Sequence, residues 1–195
     1  INEVTVTNNT KEPLRISIYP ESDVEFGEEF NLNESITVAP RIISIKPGLS
    51  QVVRFRVKPF QNKEGEYRSY LTFKEVPLEI KRENIEESEV IRSEIQFVTE
   101  ISIPVSGFAD NNKIDGGIKS IDLELNNNIV TLKGEIFSQG NTALRLRYKL
   151  LSLDKKYEYE GNFGLSRRTG ENSVITQFEI DDKLKEKKFK LIIID

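Results

Sequence analysis

The 195-residue sequence contains no histidine and no cysteine. The first absence removes imidazole from any acid–base or metal-binding role. The second removes thiolate nucleophiles, thiolate zinc ligands and any disulfide framework. An enzyme would have to work with Asp, Glu, Lys, Tyr or Ser alone, and none is expected. A glycine-rich dinucleotide loop, a P-loop and a nucleophile elbow are all missing, so no cofactor is expected. No apolar run approaches the roughly 20 residues of a spanning helix, which argues against membrane insertion. A positive surplus is lacking too. Lys and Arg number 28 against 32 Asp and Glu, a net charge of −4, which argues against a nucleic-acid partner. The lack of cysteine suits cytosol and periplasm alike.

What is present is a globular composition, 37% hydrophobic and 31% charged. The length suits one large domain or two of about 100 residues. Period-2 alternation dominates, and helical periodicity is weak throughout. Val4 and Val6 alternate with Thr5 and Thr7 before an Asn/Pro break, and Leu14, Ile16 and Ile18 resume the pattern. Pro47-Gly48 separates Ile43/Ile45 from Val53/Phe55/Val57 as a turn between strands. Tyr67 to Val76 is a further strand. Ile95, Phe97, Thr99, Ile101, Ile103 and Val105 fall on one parity, as a long strand with a continuous apolar face requires.

Residues 106–113 are small and polar and mark a domain boundary. The second half repeats the pattern at Ile118–Leu125, Ile129–Phe137, Ala143–Leu153, Val174–Ile180 and Phe189–Ile194. Many short strands at this spacing predict an all-β chain of two β-sandwiches, residues 1–106 and 107–195, each the size of one immunoglobulin-like domain. Two segments read as mobile. One is Glu21 to Ser35, which is acidic. The other is Leu78 to Val90, where Glu79, Lys81, Arg82, Glu83, Glu86, Glu87 and Glu89 leave little to bury.

Other local signals favour plain structure. Asp110 to Gly116 lacks the alternating ligands and closing Glu of a calcium loop and reads as a linker, so no metal is expected. Asn8-Asn9-Thr10 and Asn33-Glu34-Ser35 match glycosylation sequons of a kind common by chance. The paired carboxylates Glu28-Glu29 and Asp181-Asp182 read as solvated surface. Arg54, Arg56 and Arg68 read as surface charges or as partners of Glu66 or Glu75.

The most specific pattern runs from Val38-Ala39-Pro40-Arg41 through Lys46-Pro47-Gly48 to Gln51-Val52-Val53-Arg54. It continues in Gly65-Glu66-Tyr67-Arg68 and ends at Glu75-Val76-Pro77. With Val4 to Asn8 and Pro13 to Ile16 upstream, it resembles the PapD-like periplasmic chaperones of pilus biogenesis. Ile101-Ser102-Ile103-Pro104-Val105 looks most like their archaic branch, and Gly140 to Leu146 is similar to their second domain.

The resemblance implies two immunoglobulin-like sandwiches in an L-shaped, boomerang arrangement and a periplasmic location. It implies a pilus or fimbrial subunit and an outer-membrane usher as partners. Such chaperones lend a strand to subunits that lack one, a form of β-augmentation. The lent strand needs apolar side chains at every second position. The resemblance therefore assigns subunit binding to Ile91, Ile95, Phe97, Thr99, Ile101 and Ser102. For Ile91, Ile95 and Phe97 the alternative is an ordinary strand feeding its own core. Self-association through the exposed donor strand is a further partner reading.

Members of the family anchor the subunit's terminal carboxylate with an Arg from the first strand and a Lys from this long one. Here the first strand is expected upstream of Ile1, behind a leader, and Ser102 stands at the Lys position, so that basic pair is not supported. The competing reading is a structural or adhesive surface protein of tandem immunoglobulin-like domains with no chaperone activity.

Overall fold

The computed structural model describes residues 1–58, 63–77, 97–181 and 188–194. Among these the chain forms strands β1 (Asn2–Thr7), β2 (Leu14–Ser22), β3 (Ile36–Ala39), β4 (Ile42–Ile45), β5 (Ser50–Val57), β6 (Glu66–Glu75) and β7 (Glu100–Phe108). They continue as β8 (Gly116–Asn126), β9 (Ile129–Ser138), β10 (Arg145–Ser152), β11 (Glu158–Leu165), β12 (Gly170–Glu179) and β13 (Phe189–Ile194). One 3-10 turn, Glu28–Phe30, joins them, and no α-helix occurs among the described residues. The alternation in the sequence is thus expressed as an all-β fold.

The chain packs as two compact units. The first comprises Ile1–Ser22, Asn31–Phe60 and Arg68–Gly107; the second comprises Asp23–Phe30, Gln61–Tyr67 and Phe108–Asp195. The charged stretch from Leu78 to Val90 lies outside the described residues.

The first unit is a sandwich of a three-stranded sheet, β1-β5-β3, and a four-stranded sheet, β4-β2-β6-β7. Period 2 explains its core. Ile16, Ile18, Ile43, Ile45, Val53, Leu71 and Phe73 point inward and are buried, while Arg15, Ser44, Arg54 and Lys74 between them face water. The predicted turn forms at Lys46–Leu49, where Leu49 N donates to Lys46 O at 3.1 Å. Gly48 takes φ +72, a conformation that glycine adopts without a Cβ penalty.

Asn8 fastens this turn. It is fully buried, and its Nδ2 donates to Glu12 O (2.8 Å) and Ile45 O (2.9 Å). Its Oδ1 accepts from Thr10 N (2.9 Å) and Thr10 Oγ1 (2.7 Å). An amide so occupied is not offered to a glycan. Alanine here would take a donor from Ile45 O and an acceptor from Thr10 N, while Thr10 Oγ1 and Glu12 O keep their own bond at 2.9 Å. Asn8→Ala is expected to cost about 1–3 kcal/mol, read as a lower urea midpoint at unchanged m value.

The segment 21–35 is folded in rather than loose. Phe26 and Leu32 are only 3% and 2% exposed. Asp23 turns the chain by accepting from Phe26 N at 3.1 Å, and Leu32 N donates to Ser69 Oγ at 2.7 Å. Asn33, the other sequon residue, accepts from Ser69 Oγ and donates to Ser22 Oγ. Val24, Phe26, Phe30 and Leu32 share a parity, but Gly27, Asn31 and the acidic residues break the run, and their different burial, with Val24 exposed and Phe26 and Leu32 buried, does not show in the sequence.

The second unit packs β12-β9-β8 against β11-β10-β13. Its core is Val130, Leu132, Ile136, Leu144, Leu146, Tyr148, Phe163 and Ile180. Tyr148 stacks on Phe178 with ring centroids 4.5 Å apart, and burial pushes its hydroxyl above the usual tyrosine range. Phe163 reaches across from β11 to β9, where Gly134 makes room for it. A Cβ at Gly134 would lie 2.6 Å from Phe163 Cζ.

Polar residues hold the shorter segments of this unit. Glu66 is fully buried and faces the Arg145 guanidinium with both carboxylate oxygens, Nη1–Oε2 being 3.2 Å and the Nη2–Oε1 contact closer. Ala143 N adds a third donor at 3.2 Å. The partner of Glu66 is therefore Arg145, and Arg54 pairs with Glu3 at 2.7 Å on the surface. Arg168 lies over Phe30 (3.9 Å) and Tyr67 (4.7 Å) and donates to Glu64 O and Asn141 O. In segment 110–116, Asn111 and Asn112 spend their amides on Glu64 and Ala109 O, and Lys113 pairs with Asp115 at 3.0 Å. Among the described residues no group of three acidic side chains is placed to hold a metal. No described helix is long and apolar enough to cross a membrane.

Candidate functional site

β7 is the last strand of its sheet, next to β6, so its far edge has no neighbour among the described residues. Its inward parity carries Ile101, Ile103 and Val105, and its outward parity Glu100, Ser102, Pro104 and Ser106. Burial falls off along the inward row. Val105 is buried at 8% exposure, Ile103 is half-buried and Ile101 is 59% exposed. One end of the strand belongs to the core, and the other hangs at the rim of a cleft.

That cleft has a volume of 570 Å³ and opens between β1 and β7. Val4 and Val6 line one wall, Leu14, Ile16 and Phe73 lie deeper, and Ile101 and Ile103 line the other wall. It is apolar because the inward parities of four strands converge on it. Among the described residues both bordering strands are sheet edges, with no strand paired to their outer backbone groups.

Of the six residues singled out by the resemblance, Ile91 and Ile95 lie outside the described residues. Phe97 is 89% exposed and does not fill the core of the first unit. Phe97 and Thr99 precede the strand, which begins at Glu100 rather than at Ile95. Thr99 is tied to the end of β6, its O accepting from Glu75 N at 2.9 Å and its N donating to Glu75 Oε2 at 3.2 Å.

Ser102 is exposed on the outer face. Its Oγ lies 2.9 Å from Thr72 Oγ1, and Thr72 in turn donates to Glu21 Oε2 at 3.0 Å. Two residues back on the same face, Glu100 pairs with Lys74 at 2.8 Å, and that hydrogen-bonded carboxylate holds the Lys74 ammonium above the usual lysine range. The β1 wall and Glu21 were not among the sequence-derived site residues. Strand pairing brings them there, with Tyr19 opposite Thr72 and Glu21 opposite Tyr70 in the β2–β6 register.

No protein-family model matches the sequence, and no curated protein matches it. Solved structures match it in fold. A chain of the complex described as Salmonella enterica SafA pilin with the SafB chaperone aligns at TM-score 0.50 and 10% identity, covering 98% of this chain and 88% of that one. A chain of a chaperone–tip adhesin complex of CFA/I fimbriae biogenesis gives 0.49 at 13% identity, with 98% and 90% covered. The Pseudomonas aeruginosa CupB2 chaperone gives 0.47 at 13% identity, with 97% and 91% covered. At 10% identity the SafA–SafB match establishes likeness of fold, the pair of β-sandwiches, and nothing finer.

Proposed function

We propose that this protein is a periplasmic chaperone of the chaperone–usher kind. It binds a pilus or fimbrial subunit by lending it a strand and delivers that subunit to an outer-membrane usher. It acts by contact alone and catalyses no reaction. The observation that carries the reading is the edge of β7, unpaired among the described residues, over an apolar cleft, with Ile101 and Phe97 exposed beside it. An ordinary sandwich edge is blunted by charge or cover. This one keeps apolar side chains at its rim, as a strand that completes another fold requires. The fold shared with a solved pilin–chaperone complex supports the reading.

Ile91 and Ile95 extend the same parity N-terminally and belong to the proposed donor segment together with Phe97, Thr99, Ile101 and Ser102. The test is the double change Phe97→Ser and Ile101→Ser. Each docked side chain buries apolar area worth roughly 1.5–3 kcal/mol. Subunit capture, measured by co-purification from a periplasmic extract, should therefore weaken by about 10²-fold or more. The melting temperature should stay within a few degrees of the parent's, because both side chains are exposed in the free protein. Unchanged capture of a fibre subunit would overturn the proposal. So would repeated purification with no subunit bound, the outcome expected of a tandem-domain surface protein.

A further inference from the structure

The outer face of β7 shows what chemistry the partner must present beside its apolar residues. This inference rests on the reading that β7 offers its edge to an added strand. Three groups form a line there: Ser102 Oγ, Thr72 Oγ1 at 2.9 Å, and Glu21 Oε2 at 3.0 Å from Thr72. A glutamate carboxylate at neutral pH accepts hydrogen bonds and donates none. The single proton of Thr72 therefore points at Glu21, which forms the stronger, charge-assisted bond. Thr72 is left with lone pairs toward β7, so the Ser102 proton must close the contact between the two hydroxyls. Thr72 is fully buried, which denies it a water as an alternative partner.

Ser102 consequently shows only lone pairs to whatever lies beside β7. We infer that the strand added to this edge presents a hydrogen-bond donor, an ammonium or an amide N–H, opposite Ser102, and not a carboxylate. A strand paired with β7 places the side chain opposite Ser102 about 4.5–5.5 Å away, Cβ to Cβ, on the same face. A lysine there meets an acceptor with the Glu21 charge behind it. A glutamate meets lone pairs and the same negative charge. The neighbouring Glu100 and Lys74 neutralise each other and leave this polarity in place. The partner strand is thus apolar at the alternate positions facing the cleft and carries Lys, Asn, Gln or Thr at the position facing Ser102.

The experiment uses fluorescently labelled 11-residue peptides of alternating apolar and polar residues, titrated by anisotropy against the full chain. Norleucine, lysine or glutamate is scanned through the polar positions. The norleucine peptide should bind, and at one position lysine should bind about tenfold or more tighter than glutamate, the effect of one charge-assisted hydrogen bond. In Thr72→Val the Ser102 hydroxyl is released and can donate to a carboxylate, so the lysine preference should shrink several-fold. In Ser102→Ala, a surface change that leaves Thr72 and Glu21 intact, it should shrink as well. Equal affinities, a glutamate preference, or a ratio unmoved by both variants would overturn the inference while the open edge stands. Failure of the norleucine peptide to bind would overturn the open edge itself and the inference with it.

Discussion

Replacing Arg145 with alanine is expected to cost about 3–5 kcal/mol of stability, measured by urea unfolding, because it strands a charged carboxylate in the interior. Glu66 is fully buried, and its remaining donor would be Ala143 N at 3.2 Å. Arg145 itself stays about half exposed, so losing its own hydration shell is a small part of the balance. The double change Glu66→Leu and Arg145→Met should be milder than Arg145→Ala alone. Apolar residues of similar volume relieve the desolvation of both charges and take a partner from the Ala143 N–H and from the Ala143 carbonyl, a residual cost of about 1–3 kcal/mol. A double variant as unstable as the single one would show that this site depends on the ion pair itself.

Phe163→Ala should be comparably severe, at about 3–5 kcal/mol, since the ring is fully buried and leaves a cavity between two sheets. The same contact read from the other side gives a second route to the same loss. Gly134→Ala puts a methyl 2.6 Å from Phe163 Cζ and 3.1 Å from Cε1, so the ring or the β9 backbone must move. Overpacking of this kind costs about 1–3 kcal/mol. Combining Gly134→Ala with Phe163→Leu should be less harmful than the sum of the two, because the smaller side chain vacates the space the methyl needs. A thermodynamic cycle showing strict additivity would mean that the two positions do not compete for volume.

The same crowding explains where the fold was hidden from the sequence. β11 reads Glu158-Tyr-Glu-Gly-Asn-Phe-Gly-Leu165, with two glycines where a strand pattern would have side chains. A Cβ at Gly161 would meet Tyr148 at 2.9 Å, and one at Gly164 would meet Val174 at 2.6 Å. These glycines are small because neighbouring strands fill their space, yet in one dimension they look like breaks. Where side chains are not displaced by neighbours, as in β5, β9 and β13, alternation marked the strands to within a few residues. The partner of Glu66 was invisible for another reason: it lies 79 residues away, and no local spacing encodes that distance. The candidate site was half legible. The apolar row of β7 stands in the sequence as a period-2 run, and Ser102 is reached through the family resemblance. The β1 wall of the cleft and the Ser102–Thr72–Glu21 line depend on which strands become neighbours, and only the sheet order supplies that.

The two units are not consecutive stretches of chain, since Asp23–Phe30 and Gln61–Tyr67 group with the second. These inserts carry Glu66, Tyr67 and Phe30, the groups that hold Arg145 and Arg168. Recombination at the single peptide bond after Gly107 would pass on the later strands without the residues that neutralise and cover their arginines. A gene exchange that preserved the second unit would have to carry three separate segments at once. Variation at Arg145 or Arg168 is thus constrained by residues that lie about 80 to 140 positions earlier in the chain but belong to the same unit.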